Sequence, residues 1–362
     1  MSDRLCLSVE TPFPRRLLPL LLAAALPTMA GPAAAQLACG GTVGPGGTFT
    51  MTSDIVACAS DPVLRVVGKT VLDMAGHRVI CDGGSAFTIG ISIEGKNATV
   101  KNGSVDGCNF GVGVFGDGQH KVRNVTVRRG LVGFAVSSDR NDLSGNGARQ
   151  ASADGFSING SDNDLEDNAA VESPIGFLIQ GLRNSFVRNV ASENDVGFDA
   201  SGSARSALTR NVAEGNTVGY RVAAASSDVT LKENVATGSD TGFEIGGSSH
   251  EISKNTAVNS KASGFQVVAG AGGHLVRDNV AIGTQNFDSS RGFLVTAANG
   301  NELRGNRAFN SFREGIAVSS QSNVIRDNVS LGNGLGLNDF NAGCDANVWT
   351  NNLGSKAQPC ID

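Results

Sequence analysis

The sequence predicts an all-β fold, a right-handed parallel β-helix of three sheets, and three observations carry that prediction. The phrase NVASENDVGF, Asn189 to Phe198, returns along most of the chain at a spacing of about 22 residues. A fixed period of this size marks a repeat architecture in which each unit packs on the next. Within one repeat, short apolar and polar residues alternate with a period of two, and no stretch carries a helix-length apolar period. Glycine is abundant, at 48 residues, while aromatic residues make up only 5%. That composition suits many tight turns between short strands.

Taken in order, residues 1–35 read as a signal peptide. Arg15-Arg16 precede the apolar run Leu17 to Leu26, and Ala33-Ala34-Ala35 offers a small-residue cleavage site before Gln36. Residues 36–70 read as an N-terminal cap of irregular strands. Residues 71–340 are the repeats, expected to give about 12 coils of about 22 residues. Residues 341–362 read as a C-terminal cap that holds the single Trp, Trp349. Caps are expected because bare strand edges recruit other chains.

Cys6 lies in the leader. The other six cysteines, Cys39, Cys58, Cys81, Cys108, Cys344 and Cys360, cluster at the two ends. An even count in an exported chain reads as disulfides. Proximity favours Cys39–Cys58, Cys81–Cys108 and Cys344–Cys360. No C-x-x-C pattern occurs, so no metal site is assigned to them.

The repeat Gly155 to Leu178 serves as the unit. Gly155 is expected at the turn, Phe156 and Ile158 inward, Ser157 and Asn159 outward. Asn163 to Asp167 and Ala169 to Val171 supply the second and third strands. Each strand then pairs in parallel with its equivalent one coil away. Right-handed crossover is the strongly preferred hand. The recurrent Asn, from Asn102 through Asn328, is expected at a bend in left-handed backbone conformation, with its amides bonding from coil to coil. The recurrent Phe, Phe134 through Phe293, is expected as an internal stack at about 4.8 Å per coil.

The phrases Leu72-Asp73-Met74-Ala75-Gly76-His77, Asn323-Val324-Ile325-Arg326-Asp327-Asn328 and Gly292-Phe293-Leu294-Val295 resemble those of secreted right-handed parallel β-helix repeat proteins. These include the NosD-like group and relatives of pectate lyases and alginate epimerases. The resemblance spans about residues 70–340 and is specific for fold, since the matching residues are structural. It implies that chemistry, if present, sits on the outer face of the first sheet, the strand after each Gly. For the NosD-like group it implies a periplasmic accessory role connected with copper, although no Met- or Cys-rich site supports copper here.

On that face the residue two past each Gly forms an outward column in which Asp199, Arg221 and Glu244 stack one coil apart. These are the candidate catalytic residues, an Arg to neutralise or abstract and carboxylates to relay a proton or bind a metal. The competing reading is a charge-matched surface ladder. From Asn279 to Gly292 is 13 residues, against 8 or 9 in the other coils. The resulting insert is expected to overhang the same face. Gln266, Asp288 and Arg291 join the candidates as ligand-binding residues. The Asn-Thr-Asp, Asp-Asp and Gly-His-Gly set of polygalacturonases is missing, as is the Asp-Pro-His-Asp of alginate epimerases. His250 and His274 fall near one column of adjacent coils, where a surface metal pair is conceivable.

The reading is therefore a monomeric exported scaffold that binds a glycan or an envelope component along the first-sheet face, without a cofactor. The alternative is a lyase, epimerase or hydrolase of acidic polysaccharide, with Ca2+ as the cofactor of a lyase. The net charge of −5 argues against nucleic acid as a partner. No segment after the leader is apolar enough to span a membrane.

Overall fold

The computed structural model describes residues 33–35, 37–82, 87–268, 270–284, 290–344 and 346–361. They form an all-β parallel solenoid of about 14 turns, without α-helix among the described residues. The reason is local. Each coil offers three short strands of alternating character, and only stacking on an identical coil satisfies both their backbone groups and their apolar faces. In one coil Val196–Ala200 lies in the first sheet, Ala207–Thr209 in the second and Val212–Glu214 in the third. Each pairs in register with its equivalent in the next coil.

The coil count exceeds the expected 12 because the ladder begins earlier. Gly41–Val43 and Leu64–Val67, expected within a cap, already pair in parallel as rungs of the first sheet. Residues 1–32 of the expected leader, and Gln36 just after it, lie outside the described residues. Ala33–Ala35 adds a strand beside Phe49–Met51. All three expected disulfides are present: Cys39–Cys58, Cys81–Cys108 and Cys344–Cys360.

The interior is a set of columns. Eight aromatic rings stack from Phe134 to Phe293, with Tyr220 taking one Phe position. Their centroids are 4.6 to 4.9 Å apart and their planes lie within 9° of parallel. Opposite them on the third sheet runs a column of alanines, Ala148, Ala170, Ala191, Ala213, Ala236, Ala257, Ala281 and Ala308, all fully buried. The glycine before each ring faces this column. A Cβ on Gly197 would meet the Gly219 carbonyl oxygen at 2.6 Å and the Ala191 Cβ at 3.3 Å. These glycines therefore stand inside the strand for close approach, and not at a turn as their spacing first suggests.

The recurrent Asn has a different job from the one expected. Asn102 and Asn124 do adopt positive φ, but from Asn146 onward the left-handed residue is the one before the Asn, such as Asp167, Arg188 or Arg210. The Asn itself points inward and is buried. Its amide joins three strands. The Asn189 backbone N–H and Nδ2 both donate to Asn211 Oδ1, at 2.8 and 3.0 Å, and Nδ2 also donates to the Leu165 carbonyl at 2.9 Å. The same pattern runs from Asn146 to Asn352. The side chain thus replaces the strand ladder where the chain bends and neighbouring backbone groups lose their partners.

At the C-terminal end the column of aliphatic inward residues is closed by Trp349 under Ile325. Asp339, fully buried, occupies an inward position and accepts from Trp349 Nε1 at 2.8 Å, Asn347 Nδ2 at 3.0 Å and Asn341 Nδ2 at 2.8 Å. This buried carboxylate ties the last coil to the cap.

Removing one rung of the amide ladder orphans donors in the coil before it. Asn189→Ala leaves both Asn168 donors without Asn189 Oδ1. The expected loss is about 2–4 kcal/mol, since each buried unsatisfied group costs about 1–3 kcal/mol. Asn124→Ala, at an exposed position, is expected to cost less than about 1 kcal/mol. Urea unfolding of the two variants checks the contrast.

Candidate functional site

The first-sheet outer face carries the expected column. Asp199, Arg221, Glu244 and Gln266 follow one another in register, one rung apart. Alternation within each strand turns them outward while Phe198, Tyr220, Phe243 and Phe265 fill the core. Asp199 is nonetheless only 2% exposed, because Arg221 lies over it. Arg221 Nη2 donates to Asp199 Oδ2, and Ser201 Oγ donates to Asp199 Oδ1. Its hydrogen bond to Asp199 holds the Arg221 guanidinium above its ordinary pKa, aided by the charges of Asp199 and Glu244. Arg221 is therefore a fixed cation with its remaining donors facing out. It is not a proton acceptor.

Asp288 lies outside the described residues. Arg291 stands just before Gly292, in register with Ser263, three rungs or about 14 Å from Arg221. Its Nε donates to Glu314 Oε2 at 2.8 Å, and both side chains are largely covered, at 15% and 5% exposure. Asn338 Nδ2 reaches Glu314 Oε1 at 3.4 Å. The face thus holds two charged centres, Asp199–Arg221 and Arg291–Glu314, with Glu244 and Gln266 between them.

Two functional candidates escaped the sequence reading, Asp154 and Glu314. Both precede the glycine of their coil, in Asp154-Gly155 and Glu314-Gly315. Strict period-two alternation would turn that position inward with the ring; the glycine that follows it itself faces the interior, which breaks the alternation and leaves the position on the outer face, where Asn338 reaches Glu314. Asp154 is half-buried, and burial pushes its carboxyl above the usual range. Its hydrogen bond with Ser157 opposes that shift, and the Asp199 charge adds to it.

The histidines do not form a surface metal pair. His120, His250 and His274 are buried at the corner between the first and second sheets. In other coils this corner is filled by Asn141, Asn163, Asn301 and Asn323, whose Oδ1 accepts a backbone N–H from the preceding coil. Each histidine Nδ1 does the same work. It accepts from Ala98 N for His120, Val229 N for His250 and His250 N for His274, at 3.0 to 3.3 Å. The His250 and His274 rings stack with centroids 5.0 Å apart.

The sequence matches the family described as periplasmic copper-binding protein (NosD) over residues 75–223, 171–272 and 203–359. The chain belongs to the NosD family. No curated protein matches it. Solved structures similar to this NosD protein include the A-module of the Azotobacter vinelandii mannuronan C-5 epimerase AlgE6, at 16% identity over 87% of this chain and 91% of that one, TM-score 0.48. The periplasmic alginate epimerase AlgG shares 14% identity over 86% and 77%, TM-score 0.42. A DFA-IIIase from Arthrobacter chlorophenolicus A6 shares 14% over 79% and 85%, TM-score 0.47. Likeness at this level says nothing about ligand or reaction. The family is periplasmic by its description, and the three disulfides fit an oxidising compartment. No helix among the described residues is long and apolar enough to cross a membrane.

The family description raises copper, and the donor atoms of this NosD chain do not fit it. Copper takes imidazole, thiolate or thioether. All six cysteines beyond the leader are in disulfides, and Met51 and Met74 are core residues. The single lone pair of each neutral buried imidazole is engaged at Nδ1 by a backbone N–H. Nε2 of His250 and His274, buried without a partner, therefore carries the proton and has no electron pair to give. His77 stands alone with Asp54, its Nδ1 3.1 Å from Asp54 Oδ1. No group of three or more His, Cys, Asp or Glu positioned for a metal exists among the described residues.

Burial pushes the His250 and His274 pKa values from 6.5 down to about 4, and lowers that of His120. Between about pH 4 and 6.5 the unfolded chain binds protons that the folded chain excludes. Stability is intact above that window and falls as pH drops through it. The doublet His250→Asn with His274→Asn keeps a side-chain acceptor at both rungs, as Asn301 does below them. It is expected to leave stability at pH 8 within about 1 kcal/mol and to lower the acid-unfolding midpoint. An unchanged midpoint in a pH titration by circular dichroism would show that these rings do not set acid sensitivity.

Proposed function

We propose that this protein is a periplasmic β-helix scaffold that acts as a monomer and binds a glycan or another envelope component along its first-sheet face. One observation carries the reading: Asp199, Arg221, Glu244 and Gln266 form an in-register polar column on a rigid face, with Arg221 one-third exposed and anchored from beneath by a buried carboxylate. A guanidinium fixed in this way has lost most of its side-chain entropy before a ligand arrives, so less is lost on binding. Its free donors suit a carboxylate or sugar hydroxyl. Glu244 and Gln266 supply acceptors and a donor pair one and two rungs away, a spacing of about 4.8 Å per rung.

The second reading is an enzyme acting on acidic polysaccharide, and Asp154 is the observation that favours it. A carboxyl held above its usual range near a charged Asp199 is the environment of a general acid beside an ionised carboxylate. Under this reading Ca2+ would neutralise the substrate carboxylate and the Asp154 carboxyl would deliver a proton.

The expected result is that Arg221→Gln weakens binding to an acidic or neutral oligosaccharide found by titration of a glycan panel about tenfold. Its thermal midpoint is expected to drop as well, since Asp199 loses its partner and is left as a buried charge. Glu244→Gln, which breaks no ion pair among the described residues, separates binding from folding: it should weaken binding without moving the midpoint. New absorbance of unsaturated uronate or new reducing ends, with or without calcium, would transfer the assignment to the enzyme reading. Absence of any ligand across the panel would sink both.

A further inference from the structure

Arginines stack in register on the second sheet, at Arg277, Arg304 and Arg326, and the corner between the third and first sheets holds another such stack, this one lining a hollow. Arg128 and Arg149 are exposed and stand in register on adjacent coils. Like charges directly opposite each other in a sheet are destabilising. In the second-sheet stack Arg277 and Arg326 are matched to Glu251 and Glu302, as Arg123 is to Asp142, Arg183 to Asp162 and Arg210 to Glu233. Arg128 and Arg149 make no ion pair among the described residues. The acid in register with Arg128 one coil earlier, Asp106, is taken by Arg129, whose Nε and Nη2 donate to it at 2.9 and 2.5 Å.

The two guanidinium-bearing residues line one hollow of about 300 Å3, whose other walls are Gln150 and Glu172. The hollow is built by the backbone. Arg129, Gln150 and Glu172 occupy successive coils in left-handed conformation, with φ of 53°, 57° and 56°. The left-handed corner turns these side chains outward as a rim. Gln150 Nε2 donates to Glu172 Oε2 at 2.9 Å, which fixes both rim groups. Gly130 completes the corner, where a Cβ would meet the Cys108 carbonyl oxygen at 2.2 Å.

We infer that this hollow is a second binding site, for the carboxylate-bearing sugar of an acidic glycan. Two arginines one rung, about 4.8 Å, apart along the backbone can clamp one carboxylate from two sides, each guanidinium offering a planar pair of donors. The rim supplies what an inorganic anion does not need, a carboxylate and an amide that accept from and donate to neighbouring hydroxyls. The same Glu172 repels a multiply charged ion such as phosphate. The site lies on a different corner of the coil from Arg221 and does not depend on the first-sheet reading.

The test is calorimetric titration of the purified mature protein with a uronate oligosaccharide, a neutral oligosaccharide of the same length and inorganic phosphate. At this hollow the uronate alone is expected to bind. The doublet Arg128→Gln with Arg149→Gln is expected to weaken it about tenfold or more, with the unfolding midpoint unchanged because both side chains are exposed. Glu244→Gln, on the first-sheet face, is expected to leave this site as it was. Uronate binding that survives the doublet overturns the inference; if that binding is lost in Glu244→Gln instead, it belongs to the first-sheet face and the earlier proposal stands. Binding of phosphate or of the neutral oligomer that the doublet removes as it removes uronate binding, or no uronate binding, also overturns it.

Discussion

The structure depends on how buried bends satisfy their polar groups. A solenoid of three-residue strands turns its backbone at every corner, and each turn brings N–H groups into the interior away from their ladder partners. In the corner between the second and third sheets an unbroken run of asparagine amides accepts them, from Asn146 to Asn352. The corner between the first and second sheets uses asparagine, serine or histidine. The corner between the third and first uses Asn194, Asn216, Asn333 and serine. Because each amide serves the coil before it, the coils are coupled along the rod, and a defect in one leaves its neighbour unsatisfied.

That requirement separates scaffold from surface. Inward positions are filled by stacked rings, by alanines that let glycine backbones approach, and by amides. They repeat because every coil has the same section. His120, His250 and His274 belong to this interior set, which explains why His250, though stacked on His274, offers no lone pair to a metal. Outward positions are free to vary, and variation there carries information. The Asp199–Arg221 pair, the covered Arg291–Glu314 pair and the unmatched Arg128–Arg149 stack depart from the background of simple surface ion pairs, each worth little by itself.

Much of this was legible along the chain. The period gave the coil, the alternation gave the facing of Phe198 and Asp199, and the end-clustered cysteines gave their pairing. The reading failed where a residue's role depends on the next coil. Asn189 looks like a bend residue, but Arg188 takes the left-handed conformation and frees the Asn to bond. Gly197 looks like a turn, but what demands it is the carbonyl of Gly219. Asp154 and Glu314 were passed over because strict alternation places them with the inward residue two positions on, and only the inward-facing glycine between breaks that pattern.

What the sequence alone determined is the architecture, because a repeat of fixed length with one inward pattern has only one way to bury itself: on its own copies. It also determined the register of Asp199, Arg221, Glu244 and Gln266, since equal coil lengths fix which residues stack. Only the tertiary structure decided which charges are covered and which are unpaired. That depends on whether a side chain from the neighbouring coil bends over its partner, as Arg221 does over Asp199, or leaves it open, as at Arg128 and Arg149. Such a choice is set by contacts between coils, and no spacing along a single coil records it.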